Sequence, residues 1–134
     1  MTAVEVGRRL APLERTIRLV DMVAYAGATW DWHPLHYDAA LASDLGLPGP
    51  VVDGQVLGAL LAEQVLDDLE PGARIRRMAF RFRAMVFAGE TVRVEGEVTA
   101  IGQDPPGTVE VTQRVSVGER TIIDGAVTTA ELRG

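Results

Sequence analysis

No cysteine occurs among the 134 residues. Disulfides, thiolate metal ligands and a cysteine nucleophile are therefore excluded. Histidine is almost as scarce, with two in the chain. No apolar run approaches the roughly 18 residues of a membrane-spanning helix. The N-terminus has no basic segment followed by an apolar stretch, so no secretory signal is expected and a cytoplasmic protein is the simplest reading. Low-complexity tracts, long linkers and solenoid-type repeats are also missing. The net charge of −6 argues against nucleic acid as the main partner. It leaves a small anionic ligand open, because local charge decides that.

What is present suits one folded unit. A hydrophobic content of 47% is ordinary for a globular protein, and the length fits a single domain over residues 1–134 with a real core. The first half reads as helix-rich and the second as strand-rich, an α+β arrangement. Residues 14–20, ERTIRLV, read as a short strand. Asp21 then caps a short helix with Met22, Val23 and Ala26 as its apolar positions. Tyr37 to Leu45 reads as a second short helix, with Asp38 as its cap and Ala39, Ala40, Ala42 and Leu45 as its small apolar face. Asp53 caps a third helix from Gly54 to about Leu66, which Glu70-Pro71-Gly72 ends. Apolar residues fall on every side of that helix, which marks it as buried. Gly58 and Ala59 allow a neighbour to come close.

Period-two patterns fill the second half. Val92, Val94 and Val98 share one face, with Arg93, Glu95 and Glu97 opposite. Val109, Val111, Val115 and Val117 share another. Phe80 and Phe82 alternate with Arg81 and Arg83. Asp104 to Gly107 reads as a turn, and Ile122 to Leu132 as a last strand. One buried helix with four or five antiparallel strands suggests a sheet curled around a helix.

Both histidines lie in one stretch, DWHPLHYD at 31–38. A metal site, an acid/base pair and a well-packed turn are all open readings of it. Pro34 keeps His33 out of a helix, so His33 and His36 do not share a helical face. No further His or Cys exists to complete a structural metal site, and no metal is expected. The turn reading has Asp and His satisfying nearby backbone groups. Five arginines at 74, 76, 77, 81 and 83 form a positive cluster. It suits phosphate groups and equally suits a solvated strand face.

The order Tyr25-Ala26, then Asp31-x-x-Pro34-Leu35-His36-x-Asp38, then Pro50-x-x-x-Gly54 entering an apolar helix resembles the MaoC-like acyl dehydratases. These include the (R)-specific enoyl-CoA hydratases of the hot-dog superfamily. Arg81-Phe82 followed by Phe87-Ala88-Gly89-Glu90-Thr91 is similar to a further family stretch, and the resemblance spans nearly the whole chain. The sequence departs from the family pattern at four places. His33 replaces an Asn, Thr29-Trp30 a Ser-Gly, Asp53 a His, and Ala84-Met85 a Pro-Val step.

The resemblance implies a hot-dog fold, a curled antiparallel sheet wrapped around a central helix. It implies hydration of a 2-enoyl-CoA to a 3-hydroxyacyl-CoA, or the reverse, in lipid or steroid metabolism. Asp31 and His36 would be the acid/base pair, and Gly54 the backbone oxyanion donor at a helix start. Trp30, His33, Asp53, Gln55, Arg81 and Arg83 would contact substrate. No cofactor is expected, coenzyme A being part of the substrate. A homodimer or higher oligomer is expected. A heteromer with a second hot-dog chain is the alternative, since LASDLGLPGP and GEVTAI are similar to short family members that work with a non-catalytic partner. A non-catalytic or partner-dependent acyl-CoA-binding subunit and a hot-dog thioesterase are the competing functions. Against the thioesterase, Glu63 is the only acid within the expected helix, and it comes late.

Overall fold

The computed structural model describes residues 4–103 and 106–133. Five strands make one antiparallel sheet: β1 Leu13–Thr16, β2 Arg74–Ala79, β3 Thr91–Gln103, β4 Pro106–Val117 and β5 Arg120–Glu131. Their order across the sheet is β1-β3-β4-β5-β2, so β1 and β2 are the edges. The three long strands form a meander in which Val94 pairs with Val115 and Val98 with Val111. Valines face inward at every second position because the pleat alternates side chains between faces.

Three helices precede or interrupt the sheet: α1 Leu19–Thr29, α2 Ala39–Asp44 and α3 Gly54–Asp68. Leu57, Leu60 and Leu61 of α3 pack with Val92, Val94, Val115, Ile122 and Ile123 in one buried cluster. Val65 continues into a second with Val98, Val109, Val111 and Ala130. The sheet thus closes over one side of α3, as the α+β reading expects. No described helix is long and apolar enough to cross a membrane.

Several boundaries differ from the sequence reading. The first strand stops at Thr16, and α1 begins at Leu19 with Arg18 as its N-cap. Asp21 sits one turn in, where its carboxylate accepts the Arg18 backbone N–H at 2.9 Å. An acid at that position reaches back to the N–H of the N-cap residue, the reciprocal half of a capping box. The central helix runs two residues past Leu66, to Asp68, so Glu63 is not its only acid. That helix is not buried all round. Leu57, Leu60, Leu61, Gln64 and Val65 are buried, whereas Gln55, Ala59 and Leu66 are exposed. Leu45 is also exposed. The phenylalanines lie beyond the end of β2, which spans the arginine-dense 74–79 segment instead. Asp104 and Pro105 of the expected turn lie outside the described residues, between β3 and β4.

Candidate active site

Pro34 opens a single 3-10 turn, Pro34–His36, between α1 and α2. His33 precedes it in extended backbone, at φ −62° and ψ 120°, as a residue before proline must be. The turn is fixed by its own side chains. The Leu35 backbone N–H donates to His33 Nδ1 at 3.2 Å, so the His33 ring carries its proton on Nε2. Asp38 caps α2, its Oδ1 accepting from Ala40 N at 3.0 Å and Leu41 N at 3.2 Å.

His36 is oriented differently. Its Nδ1 lies 2.7 Å from the Val51 carbonyl oxygen. A carbonyl only accepts, so Nδ1 is the donor and Nε2 is left to face the site. Val51 in turn donates its own N–H to the Leu35 carbonyl at 3.0 Å. The two segments therefore hold each other, and the chain just before α3 sets the ring's angle.

The Nε2 edge faces one carboxylate, and a second lies nearby. Asp53 Oδ2 is 3.8 Å away, and ligating atoms of Asp31, His36 and Asp53 all lie within 4.8 Å of one another. Asp53 is also the N-cap of α3, its Oδ1 accepting the Gln55 N–H at 2.9 Å. Two carboxylates and an imidazole make a donor set that divalent cations accept. The histidine pair does not, since His33 Nδ1 is already engaged by Leu35 N.

Two spaces share His36. The first is a narrow recess enclosed by Met22, Tyr25, Ala26, Asp31, His36, Asp53 and Val56. The second is a cavity of about 230 Å³, where His36 and Gly54 meet the apolar side chains of Val51, Val52, Leu57, Phe82, Ala84, Met85 and Val86. Gly54 stands at the first turn of α3, where backbone N–H groups point outward with the positive end of the helix dipole.

Tyr25 is the site residue that sequence reasoning passed over. It appeared there only as part of a family pattern, yet its ring borders the acid/histidine recess. Its hydroxyl faces Gln55 Oε1 at a long 3.4 Å. Burial pushes this hydroxyl's pKa up, and the charges of Asp53 and Asp31 push it further in the same direction. Tyr25 thus stays a proton donor at neutral pH.

Of the expected substrate contacts, Asp53 and Gln55 lie at the start of α3, and the His33 ring lies 5.8 Å from that of His36 between centroids. Arg81 and Arg83 line a separate, larger cleft of about 690 Å³ with Phe80 and Asp124. Phe82 belongs to both that cleft and the His36 cavity. Trp30 lies apart. It is 81% exposed, its ring edge-on to Trp32 at 6.0 Å.

Residues 2–121 match the family described as MaoC like domain, and the chain belongs to that family. Over 124 residues it is 29% identical to the (R)-specific enoyl-CoA hydratase of Aeromonas caviae, covering 92% of each chain. The solved (R)-hydratase from A. caviae, involved in PHA biosynthesis, superposes with a TM-score of 0.87 at 27% identity, covering 96% of this chain and 98% of that one. A chain of the ChsH1–ChsH2 complex from Mycobacterium tuberculosis superposes with a TM-score of 0.88 at 25% identity, covering 98% and 100%. The fold is the hot-dog fold of these MaoC-type hydratases, and the chain is of hydratase/dehydratase type.

Proposed function

We propose that the chain adds water to a 2-enoyl-CoA to give a 3-hydroxyacyl-CoA, or removes it in reverse. The observation that carries this reading is that one ring, His36, borders both the recess holding Asp31 and the apolar cavity holding Gly54. Hydration needs these functions side by side: a base for water, an acid for C2, and a donor for the thioester oxygen. Asp31 takes a proton from water as its oxygen bonds to C3. His36, entering the step protonated on both ring nitrogens, gives the Nε2 proton to C2 and keeps the Nδ1 proton on the Val51 carbonyl. The Gly54 N–H, at the positive end of α3, meets the negative charge that builds on the carbonyl oxygen. The acyl group enters the 230 Å³ cavity between Val52, Leu57 and Met85. Arg81 and Arg83 attract the phosphates of coenzyme A. The reaction requires no cofactor.

A second reading is a subunit that works only beside another hot-dog chain. Similarity to a chain of a two-component complex favours it, as does a carboxylate at position 53 close to the oxyanion donor. A second copy of this chain is the simpler partner. Thioester hydrolysis gains no support from α3. Its Glu63 is engaged with Arg15 at 2.8 Å, and Asp67 and Asp68 lie at its far end.

The test is loss of enoyl-thioester absorbance with crotonyl-, octenoyl- and a bulky polycyclic enoyl-CoA, wild type beside Asp31→Asn. Turnover that disappears in the variant supports the reading, and the preferred substrate sizes the cavity. Release of free coenzyme A would point to hydrolysis. No turnover in folded protein, restored by a second hot-dog chain, would select the partner-dependent reading.

A further inference from the structure

The apolar cavity beside His36 has a fixed inner wall. Val52, Leu57 and Val86 line it, and all three are buried. They belong to the cluster that also holds Leu60, Leu61, Val92 and Ile123. The Val52 N–H donates to the Val86 carbonyl at 2.8 Å, so the two segments of that wall are tied by their backbones. A close-packed core does not admit extra methylenes without strain. The side wall is Phe82. It is the one residue that lines both this cavity and the 690 Å³ cleft of Arg81 and Arg83. Its ring rests on Gly54 and meets Phe80 edge to face at 5.5 Å. The Arg83 N–H donates to the Ile122 carbonyl at 2.7 Å and ties the adjoining backbone to β5. The ring is thus held in place from both sides although it is half-exposed.

Resting on the hydratase reading, we propose that the site takes short 2-enoyl hydrocarbon chains of about six carbons or fewer, and that Phe82 sets this limit by closing the acyl cavity off from the larger cleft. The volume supplies the limit. A methylene fills about as much space as a water molecule in the liquid, roughly 30 Å³. A cavity of about 230 Å³ then holds about seven or eight non-hydrogen atoms. The thioester oxygen, set against Gly54, takes one of these places, and the carbons of a crotonyl or hexenoyl group fill the rest. An octenoyl group overfills the cavity, and a polycyclic acyl group does so by far more. The lining also selects for plain hydrocarbon. Apart from His36, none of its described residues is titratable, so a polar chain end would be desolvated there without a charged partner. Room for a longer chain exists only beyond the Phe82 ring, in the cleft that the ring shuts off.

The test separates binding from turnover. Saturated butyryl-, hexanoyl- and octanoyl-CoA have no double bond to hydrate, so calorimetry gives their dissociation constants beside that of free coenzyme A. Each methylene buried in the cavity should tighten binding about fourfold. That gain is expected from butyryl to hexanoyl, and octanoyl should then bind roughly tenfold more weakly than hexanoyl. Phe82→Ala joins the two spaces, and octanoyl should there bind at least as tightly as hexanoyl. Ala84→Val adds two carbons to the cavity lining and should move the break down, so that hexanoyl binds more weakly than butyryl. The kcat/KM ratios among crotonyl-, hexenoyl- and octenoyl-CoA should follow the same order, and a ratio is unaffected by a general loss of rate in a variant. Wild-type binding that goes on tightening through octanoyl overturns the proposal. So does a break that Phe82→Ala leaves in place, or equal binding of all three acyl-CoAs and free coenzyme A. The expected break in a wild type that turns over no enoyl-CoA supports the size limit and sinks only the hydratase reading.

Discussion

The ring of Phe82 lies on Gly54. A Cβ built at that glycine would stand 2.6 Å from Phe82 Cζ and 2.9 Å from Cε2. Gly58, one turn further along α3, meets Phe80 in the same way at 2.9 Å, and the two rings stack edge to face with centroids 5.5 Å apart. The close approach therefore belongs to a built interface between α3 and the segment after β2. Gly54→Ala should lower activity at least tenfold, by crowding the proposed oxyanion donor. Its stability should change little, because the gain in helix propensity of about 1 kcal/mol offsets displacement of a half-exposed ring. Kinetics beside thermal unfolding would check both. Full activity in Gly54→Ala would remove Gly54 from the site.

Two acids of the DWHPLHYD stretch should separate cleanly. Asp38 spends its carboxylate on the N–H groups of α2, and that helix has only six residues. Such a short helix depends on its cap. Asp38→Ala should cost about 1 kcal/mol of stability, while Asp38→Ser should retain both stability and turnover. Asp31→Asn should do the opposite, keeping the fold and losing at least 100-fold in kcat. Denaturant unfolding and initial rates on the same preparations would decide it. An inactive Asp38→Ser would show that Asp38 acts on chemistry as well.

How far the sequence could be read follows from the range of the interactions. Alternating valines at 92, 94 and 98 report the buried face of β3 directly, because burial and pleat act locally. Gln113 sits on the matching face of β4 among Val109, Val111 and Val115, and reads locally as a polar interruption. Its role appears only when α3 and β5 bring it partners. β2 was hidden because an edge strand with one solvated face tolerates three arginines among its six residues, at 74, 76 and 77, and period two then fades. Asp31 and His36 were legible as candidates from the motif that carries the family resemblance. The meeting of His36 with Asp53 was not, since it depends on the Val51 carbonyl turning the ring across 15 residues of chain.

Trp30 occupies left-handed backbone at φ 57° and ψ 31°, closing α1 by donating its N–H to the Ala26 carbonyl. Glycine is the residue that favours this conformation, and the family pattern has glycine at this point. The Trp30 side chain is largely exposed and packs edge-on with Trp32. Trp30→Gly should therefore stabilise the fold by about 0.5–1 kcal/mol, measured by chemical denaturation. Turnover should persist. A fall in substrate affinity would instead return Trp30 to the substrate contacts that the resemblance suggests.

Gln113 joins three elements through its buried amide. Its Nε2 donates to the Leu61 carbonyl at 3.0 Å and to Gln64 Oε1 at 2.9 Å, and its Oε1 accepts from Thr128 Oγ1 at 2.6 Å. Gln64 continues the chain to the carbonyls of Ala11 and Val94. Gln113→Leu keeps the volume but strands Gln64 Oε1 and the Thr128 hydroxyl in the core. A loss of about 2–4 kcal/mol is expected in equilibrium unfolding. A loss below 0.5 kcal/mol would mean that water or a shifted Gln64 satisfies both groups.

Glu90 links the turn before β3 to the start of β5. Its Oε1 accepts the Phe87 N–H at 2.8 Å and Arg120 Nη2 at 2.6 Å. Burial pushes its carboxyl pKa up. The Arg120 hydrogen bond, the Phe87 amide and the Arg120 charge together outweigh burial, so the net displacement is downward. A depressed carboxylate stabilises the fold fully above its unfolded pKa, and that contribution is lost as pH falls through the folded one. Glu90→Gln should thus lower stability by about 1 kcal/mol at neutral pH, given a partly exposed partner. The gap from wild type should narrow as pH falls below the ordinary glutamate range, where the wild-type carboxyl also becomes neutral. Unfolding midpoints from pH 7 down to about 3 would trace this. A gap that stays constant over that range would assign the loss to packing of the turn and not to the ion pair.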